Sequence, residues 1–287
     1  MSTGAPSNIV IDVEVTDDDV AEYWQRGYWI SPKLLSDQQI DVIRHAEQRV
    51  WAGNFDTDAM PEYSEAIKPS YEAGALRQCC NAWWLSDEVR NVVTNPHIGR
   101  IGARLMKVPA VRLWHDQMLY KPGLGPDGDS NRGNVGWHQD YGFWQCTSTS
   151  NMVTAWIALQ DTDLTNGGMR TIVGSHNWGL IKDSNTAFEL DLETLRQRFS
   201  SEDHEWIDEP CILKAGQASF HHALCFHGSG PNLTNDPRMC LVIHMMPEDC
   251  TYRGRSQHHP NLIALGPNQR IGQKFDSPHF PILWQET

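Results

Sequence analysis

His138 and Asp140 stand two residues apart in the run Trp137-His138-Gln139-Asp140. In an extended strand, residues i and i+2 share a face, so an imidazole and a carboxylate at this spacing reach one ion. On a helix the same spacing sends them apart. One histidine and one carboxylate make two-thirds of the facial triad of non-haem Fe(II) oxygenases. Histidine has many structural uses, so the pair needs a third ligand from a distant strand. Residues 218–232 offer His221, His222 and His227. His227 ends an apolar segment, just before Gly228-Ser229-Gly230, and the chain returns as a second apolar segment over 239–246. A hairpin of this kind sets Arg238 opposite His227. Arginine carries a rigid fork of donors suited to a carboxylate. An iron triad beside a buried arginine is what chelation of a 2-oxo acid requires. Two oxygens of the acid take iron positions, its distal carboxylate takes the arginine, and one position remains for O2.

Those groups must be carried by an ordered frame. Residues 1–16 read as a flexible leader. A short helix follows from Asp17 to about Gly27, then a brief strand at Tyr28-Trp29-Ile30. Ser36 is a good N-cap for a helix whose apolar positions, Ile40, Ile43, Ala46 and Val50, fall three or four apart. Residues 52–75 are polar and irregular. A further helical pattern runs from Ser86 to Leu105, with Pro96 forcing a break or restart. After Pro109 the pattern changes to short apolar segments over 111–120, 151–159, 169–173, 217–220, 223–227 and 239–246, separated by Gly, Pro and Asn. That rhythm predicts an all-β sandwich or barrel flanked by the N-terminal helices. No stretch has the composition of a linker, so residues 17–287 are expected to form one domain. It comprises a helical flank over about 17–108, a β core over about 109–255 and an extension over 256–287.

The chain has 36 acidic and 23 basic residues, a net charge of −13, which disfavours nucleic acid and anionic membrane surfaces as partners. No run of about 18 apolar residues signals a membrane span, and residues 1–18 lack the pattern of a secretory signal. Seven cysteines without a CxxC pair suggest reduced thiols and a cytoplasmic setting. The segment 121–136 contains a formal GxGxxG at 123–128, but Pro126 and the absence of a βαβ pattern exclude a dinucleotide site. It reads instead as a mobile loop, in the manner of a lid.

Taken together, several motifs resemble the phytanoyl-CoA dioxygenase family. They are His138-Gln139-Asp140, Trp156-Ile157-Ala158-Leu159, Asn166-Gly167-Gly168-Met169, Gly174-Ser175-His176, and His227-Gly228-Ser229-Gly230-Pro231-Asn232 with Arg238. The resemblance runs from about Gly27 to Met246. It implies Fe(II)- and 2-oxoglutarate-dependent oxygenase chemistry on a double-stranded β-helix, the cupin-like jelly roll, within a mainly β, α+β chain. It further implies that His138, Asp140 and His227 ligate iron and that Arg238 anchors 2-oxoglutarate. Met118 and Trp156 match positions that contact the cosubstrate in relatives. Gln139 lies between two ligands and is expected to reach the same molecule, and Ser229 belongs to the turn after the distal histidine.

The expected reaction uses Fe(II), 2-oxoglutarate and O2 to hydroxylate an unactivated C–H bond of a small metabolite, releasing succinate and CO2. Asp140 occupies the position that related halogenases leave for chloride, which favours oxygenation. Desaturation, epimerisation or ring closure start from the same hydrogen abstraction. A cofactor-free or non-catalytic cupin-like metal protein is the alternative of another class, and Arg238 argues against it. Trp83, Trp114, Trp137 and Trp144 are candidates for the substrate pocket, with Trp84 beside them. Arg77, Arg112 and Lys121 could serve an anionic group. His115 and Asp116 are neighbours on one strand and point to opposite faces, so they cannot share an ion. His176 is expected to hold its turn, and His244 to be a core histidine or a support to the ligands.

Overall fold

The computed structural model describes residues 13–57, 75–254 and 259–286. Helix α1 (Asp17–Arg26) starts in a reciprocal capping box between Thr16 and Asp19 and stops at Gly27, whose φ of 84° suits glycine. A Cβ at Gly27 would also strike the ring of His176. Strand β1 (Tyr28–Ile30) leads to α2 (Asp37–Trp51), opened by Ser36 and Gln39 in a second capping box. After β2 (Arg77–Cys80) and a 3-10 turn at Ala82–Trp84 come α3 (Asp87–Val93) and α4 (Pro96–Met106). Pro96 is the first residue of α4, with Asn95 as its cap, so the proline restarts the helix as its missing N–H allows.

The remaining elements are β3 (Ala110–Lys121), β4 (Val135–His138), the single turn α5 (Asp140–Phe143), β5 (Val153–Ala158), β6 (Met169–Ile172), α6 (Leu192–Phe199), β7 (Asp208–Pro210), β8 (Ala218–His222), β9 (His227–Ser229), β10 (Arg238–Pro247) and β11 (Ile282–Gln285). Every strand pair is antiparallel. One sheet runs β1-β8-β5-β10-β3-β11 with β2 also on β3, and a second runs β4-β9-β6-β7.

Strand parity divides the core. Met239, Leu241, Ile243 and Met245 of β10 pack with α2 and α4 on the outer face of the large sheet. Cys240 and Val242 face inward and meet Met169 of the smaller sheet. Trp137, Leu195, Phe199 and Phe226 form a third cluster beneath α6. Each large aliphatic chain so buried contributes on the order of 1.5–3 kcal/mol.

Two readings of the sequence change here. The segment expected as a strand over 223–227 is a corner over 223–226. The Cys225 N–H donates to the His222 carbonyl at 2.7 Å, the chain passes from one sheet to the other, and His227 opens β9 instead of closing a strand. Consequently no hairpin joins His227 to Arg238, which begins β10 in the large sheet and pairs with Lys121. The leader also shortens, because Val13 and Val15 are buried in the outer core. Residues 1–12, most of the irregular stretch 52–75, and His258 lie outside the described residues.

Candidate active site

His138 closes β4, and Asp140 begins the helical turn α5 immediately after it. Gln139 between them keeps extended backbone, with φ −107° and ψ 130°, so the two side chains reach the same face across one extended residue, as their spacing predicts. Nε2 of His138 and Nε2 of His227 lie 3.7 and 3.8 Å from Oδ1 of Asp140. The three potential ligand atoms fall within 4.8 Å of one another. Ligand atoms each about 2 Å from a shared ion have separations of this order.

The surroundings fix the orientation of all three. His138 Nδ1 sits 2.7 Å from the Gly136 carbonyl, and His227 Nδ1 sits 3.1 Å from that of Cys225. Each Nδ1–H donates to its carbonyl, which leaves the Nε2 lone pair for a metal. Thr154 donates to Oδ2 of Asp140 at 2.7 Å and is itself 2.8 Å from His244 Nδ1. His244 thus supports the carboxylate at one remove. Burial alone would raise the Asp140 carboxyl, but His227, His138, His221 and His244 around it hold it well below the usual carboxylate range. Burial and the neighbouring His138 and His221 push the His227 imidazole well below its ordinary value, so it is neutral and ready to donate a lone pair.

His221 is also here. Its Nε2 lies 3.4 Å from Oδ2 of Asp140, and neither ring nitrogen has a hydrogen-bond partner among the described residues. His222, by contrast, accepts from the Leu224 N–H and packs beside Tyr23, Trp24 and His176.

Arg238 is 2 % exposed and lines the same cavity as the triad. Its guanidinium donates to the Gly167 carbonyl at 3.1 Å, contacts Cys240 Sγ at 3.1 Å, and lies 5.1 Å from the centre of the Trp156 ring. It has no carboxylate partner among the described residues, and its Nε is unsatisfied. A buried cation in that condition fits an incoming carboxylate. Lys121, opposite Arg238 across β3 and β10, donates to Ser229 Oγ at 2.6 Å and to the Gly230 carbonyl at 2.5 Å. It ties the end of β3 to the turn after β9. Burial and the adjacent Arg238 push its amine well below the ordinary lysine range.

The cavity has a volume of about 960 Å³. Trp156 and Ser229 line it, whereas other residues expected near the cosubstrate or substrate do not. Met118 points to the outer core beneath the helices, and its neighbours Gln117 and Leu119 face the cavity instead. On β3 the odd positions 115, 117 and 119 face inward. Gln139 is fully buried and spends its side chain on backbone, donating to the carbonyls of Gly179 and Leu224 and accepting from the Ile181 N–H, each at 2.8 Å. It has no donor left for a cosubstrate. Among the tryptophans, Trp144 lines the cavity, while Trp137 packs under α6, Trp114 stacks on Phe280, and Trp83 belongs to the outer core. Trp84 takes the place expected of Trp83. Arg112 pairs with Glu248 and is not available to a ligand, and Arg77 lies over the ring of Tyr120. Gln78 and Gln117 are wall residues that sequence reasoning passed over, and His115, weighed there only as a metal ligand, is another. Strand parity on β2 and β3 was the signal that could have found them.

The chain matches the family model described as phytanoyl-CoA dioxygenase (PhyH) over residues 23–240. Rattus norvegicus peroxisomal phytanoyl-CoA dioxygenase is 26% identical over 241 residues, covering 82% of this chain and 70% of that protein. Ectoine dioxygenase from Streptomyces avermitilis is 25% identical over 242 residues, covering 80% of this chain and 78% of its own. Among solved structures, the non-heme alpha ketoglutarate dependent epimerase SnoN from nogalamycin biosynthesis superposes with a TM-score of 0.69 at 22% identity. That match covers 93% of this chain and 98% of the other, and it speaks to the fold. The chain belongs to the phytanoyl-CoA dioxygenase family, and its chemistry is that of an iron- and 2-oxoglutarate-dependent dioxygenase. No helix among the described residues is long and apolar enough to cross a membrane.

Proposed function

We propose that this protein hydroxylates an unactivated C–H bond of a small molecule, with His138, Asp140 and His227 holding the iron and Arg238 holding the distal carboxylate of 2-oxoglutarate. The observation that carries this reading is one cavity containing both a three-ligand cluster and a buried arginine that lacks a carboxylate partner. The donor set of two imidazoles and one carboxylate suits Fe(II) with positions left open. The two facing antiparallel sheets, and the superposition on SnoN, support a double-stranded β-helix as the core. One continuous domain is part of the same proposal.

Bound iron supplies the activation of O2 and the oxidising power for C–H cleavage. The chain supplies everything that positions and protects. Gly136 and Cys225 carbonyls hold the two imidazoles in the tautomer that presents Nε2. Thr154 holds one oxygen of Asp140, which leaves Oδ1 toward the histidines. Arg238 and Trp156 set the direction from which the cosubstrate approaches. The burial of Trp156, Met169 and Val242 keeps that end dry. SnoN is an epimerase, so this fold also hosts outcomes other than hydroxylation.

The test is anaerobic loading with Fe(II) and 2-oxoglutarate followed by admission of O2. Succinate should form, slowly without a substrate and faster with one. His227→Ala should lower succinate formation by at least about a hundredfold, in line with loss of a unit that acts together. Wild-type protein that forms no succinate and binds no 2-oxoglutarate would overturn the proposal.

A further inference from the structure

The end of the cavity away from Arg238 has a construction of its own. His244 lies six residues along β10 from Arg238, which puts the two roughly 20 Å apart at the usual strand rise. Across the sheet from His244 stands His115, their rings 4.3 Å apart. The wall there is completed by Asn81, by Trp84 and by residues of the C-terminal segment, including His259 and Asn261. Asn81 Nδ2 donates to Asn261 Oδ1 at 2.7 Å, and Asn261 in turn donates to the Trp114 carbonyl. These bonds fix the Asn81 amide but leave its Oδ1 without a partner. Trp84 Nε1 and His115 Nε2 are likewise buried and unpartnered among the described residues. Asn81, Trp84 and His115 are 8%, 6% and 2% exposed. His244 Nε2 is unpartnered there as well, and four unmade hydrogen bonds at one end of a cavity are costly unless a ligand completes them.

The character of the wall limits what that ligand can be. Its charged side chains are Asp140 and Arg238, which the cosubstrate and metal use, and Arg132, which is exposed. Phe143, Phe188, Trp84 and Trp144 supply flat apolar surface. A phosphate, carboxylate or zwitterion seated at the Asn81 end would find no counter-charge, whereas a neutral hydroxyl or carbonyl would find both a donor and acceptors. The volume, near the upper end for small-molecule sites, also has to hold the metal and 2-oxoglutarate, and the aromatic side chains at the remaining end suit a ring system.

We propose that the substrate is an uncharged, largely apolar, ring-bearing molecule, and that Asn81, Trp84 and His115 recognise a hydroxyl or carbonyl group on it. This rests on the dioxygenase reading and adds the substrate class to it. The C-terminal segment thereby acquires a role, since Asn261 holds Asn81 in place.

Three matched probes test the idea on the full chain loaded with Mn(II) and 2-oxoglutarate, which binds without turnover: 2-naphthol, naphthalene and 2-naphthoate. Dissociation constants come from quenching of tryptophan emission. The expected ranking has 2-naphthol about tenfold tighter than either of the others, the worth of one well-made hydrogen bond. Asn81→Leu should bring 2-naphthol to the value of naphthalene. Trp84→Phe keeps an aromatic side chain and loses the indole N–H, and should cost about threefold, which preserves the test should the first variant fail to fold. Equal or tighter binding of 2-naphthoate, equal binding of naphthalene, binding of none of the three, or a naphthol preference that survives the substitutions would each overturn the proposal. A 2-oxoglutarate titration on the same samples reports separately on the dioxygenase reading.

Discussion

Each of His138 and His227 commits Nδ1 to a backbone carbonyl, and the site depends on that pairing as much as on the ligand atoms themselves. Gln139, between the two ligands of the His-x-Asp motif, works the same way through three backbone partners. Gln139→Leu should lower stability by about 3 kcal/mol, since it strands three buried backbone groups. In the protein that still folds, 2-oxoglutarate affinity should stay within about twofold. Urea unfolding and calorimetric titration measure the two quantities. Unchanged stability with a tenfold loss of affinity would return Gln139 to the cosubstrate site. The motif residues were legible because their chemistry is in their types: two imidazoles, a carboxylate and a guanidinium. The roles of Gln139 and Met118 were not, because a side chain's direction depends on where a strand ends, and sequence alone leaves that open by a residue. The same limit hid Gln117, one position from Met118.

Strands β4 and β9 carry the two histidines into register with each other, His138 opposite His227. Gly136 makes this possible by close approach. A Cβ there would stand 2.2 Å from the Thr186 carbonyl oxygen and 2.3 Å from that of Glu189. Gly136→Ala must therefore push β4 away from the 186–189 segment and carry the partner of His138 Nδ1 with it. We expect a loss of at least about 2 kcal/mol in stability, the usual range for overpacking, together with metal affinity at least tenfold weaker. Thermal melting of the metal-free protein and metal titration provide the check. Undiminished metal affinity would show that β4 does not position His138. The long strands β3, β5 and β10 were evident from their apolar runs. The corner at 223–226 was not, because Ala223-Leu224-Cys225-Phe226 is as apolar as a strand, and only tertiary pairing decides that the chain changes sheets there.

Several buried titratable groups make stability depend on pH across the molecule. Burial lowers His115 well below its ordinary value, lowers His222 to about 3, and lowers His176 as well. In the metal-free protein His227 and His244 act with the same sign. Below pH about 6.5 the unfolded chain binds protons that the folded chain refuses, so stability rises with pH up to that value. Two carboxyls oppose this. Burial raises Asp116 to about 8 and Glu47 well above its usual value. The folded chain keeps their protons above pH about 4, where the unfolded chain has lost them, so their contribution falls as pH rises toward 8. Five histidines outweigh two carboxyls below pH about 6.5, and the carboxyls act alone above it. Melting temperature of the metal-free protein should therefore peak at about pH 6.5–7 and fall on both sides, more steeply toward pH 5. A profile that keeps rising as the pH drops to 5 would contradict the burial of these histidines. The net charge of −13 concerns the surface and not the site, where a buried arginine faces the cavity.

The account turns on metal and cosubstrate meeting in one cavity through different residues. Calorimetric titration of 2-oxoglutarate into anaerobic protein, with and without Fe(II), isolates that claim in the wild type, in Arg238→Ala and in His227→Ala. Binding should be strong only with metal present. Arg238→Ala should weaken 2-oxoglutarate by at least about a hundredfold while keeping one metal per chain, a cost of the size expected when a buried charged pair loses a partner. His227→Ala should lose both. Metal-independent binding of 2-oxoglutarate, or equal loss of metal and cosubstrate in Arg238→Ala, would contradict the assignment.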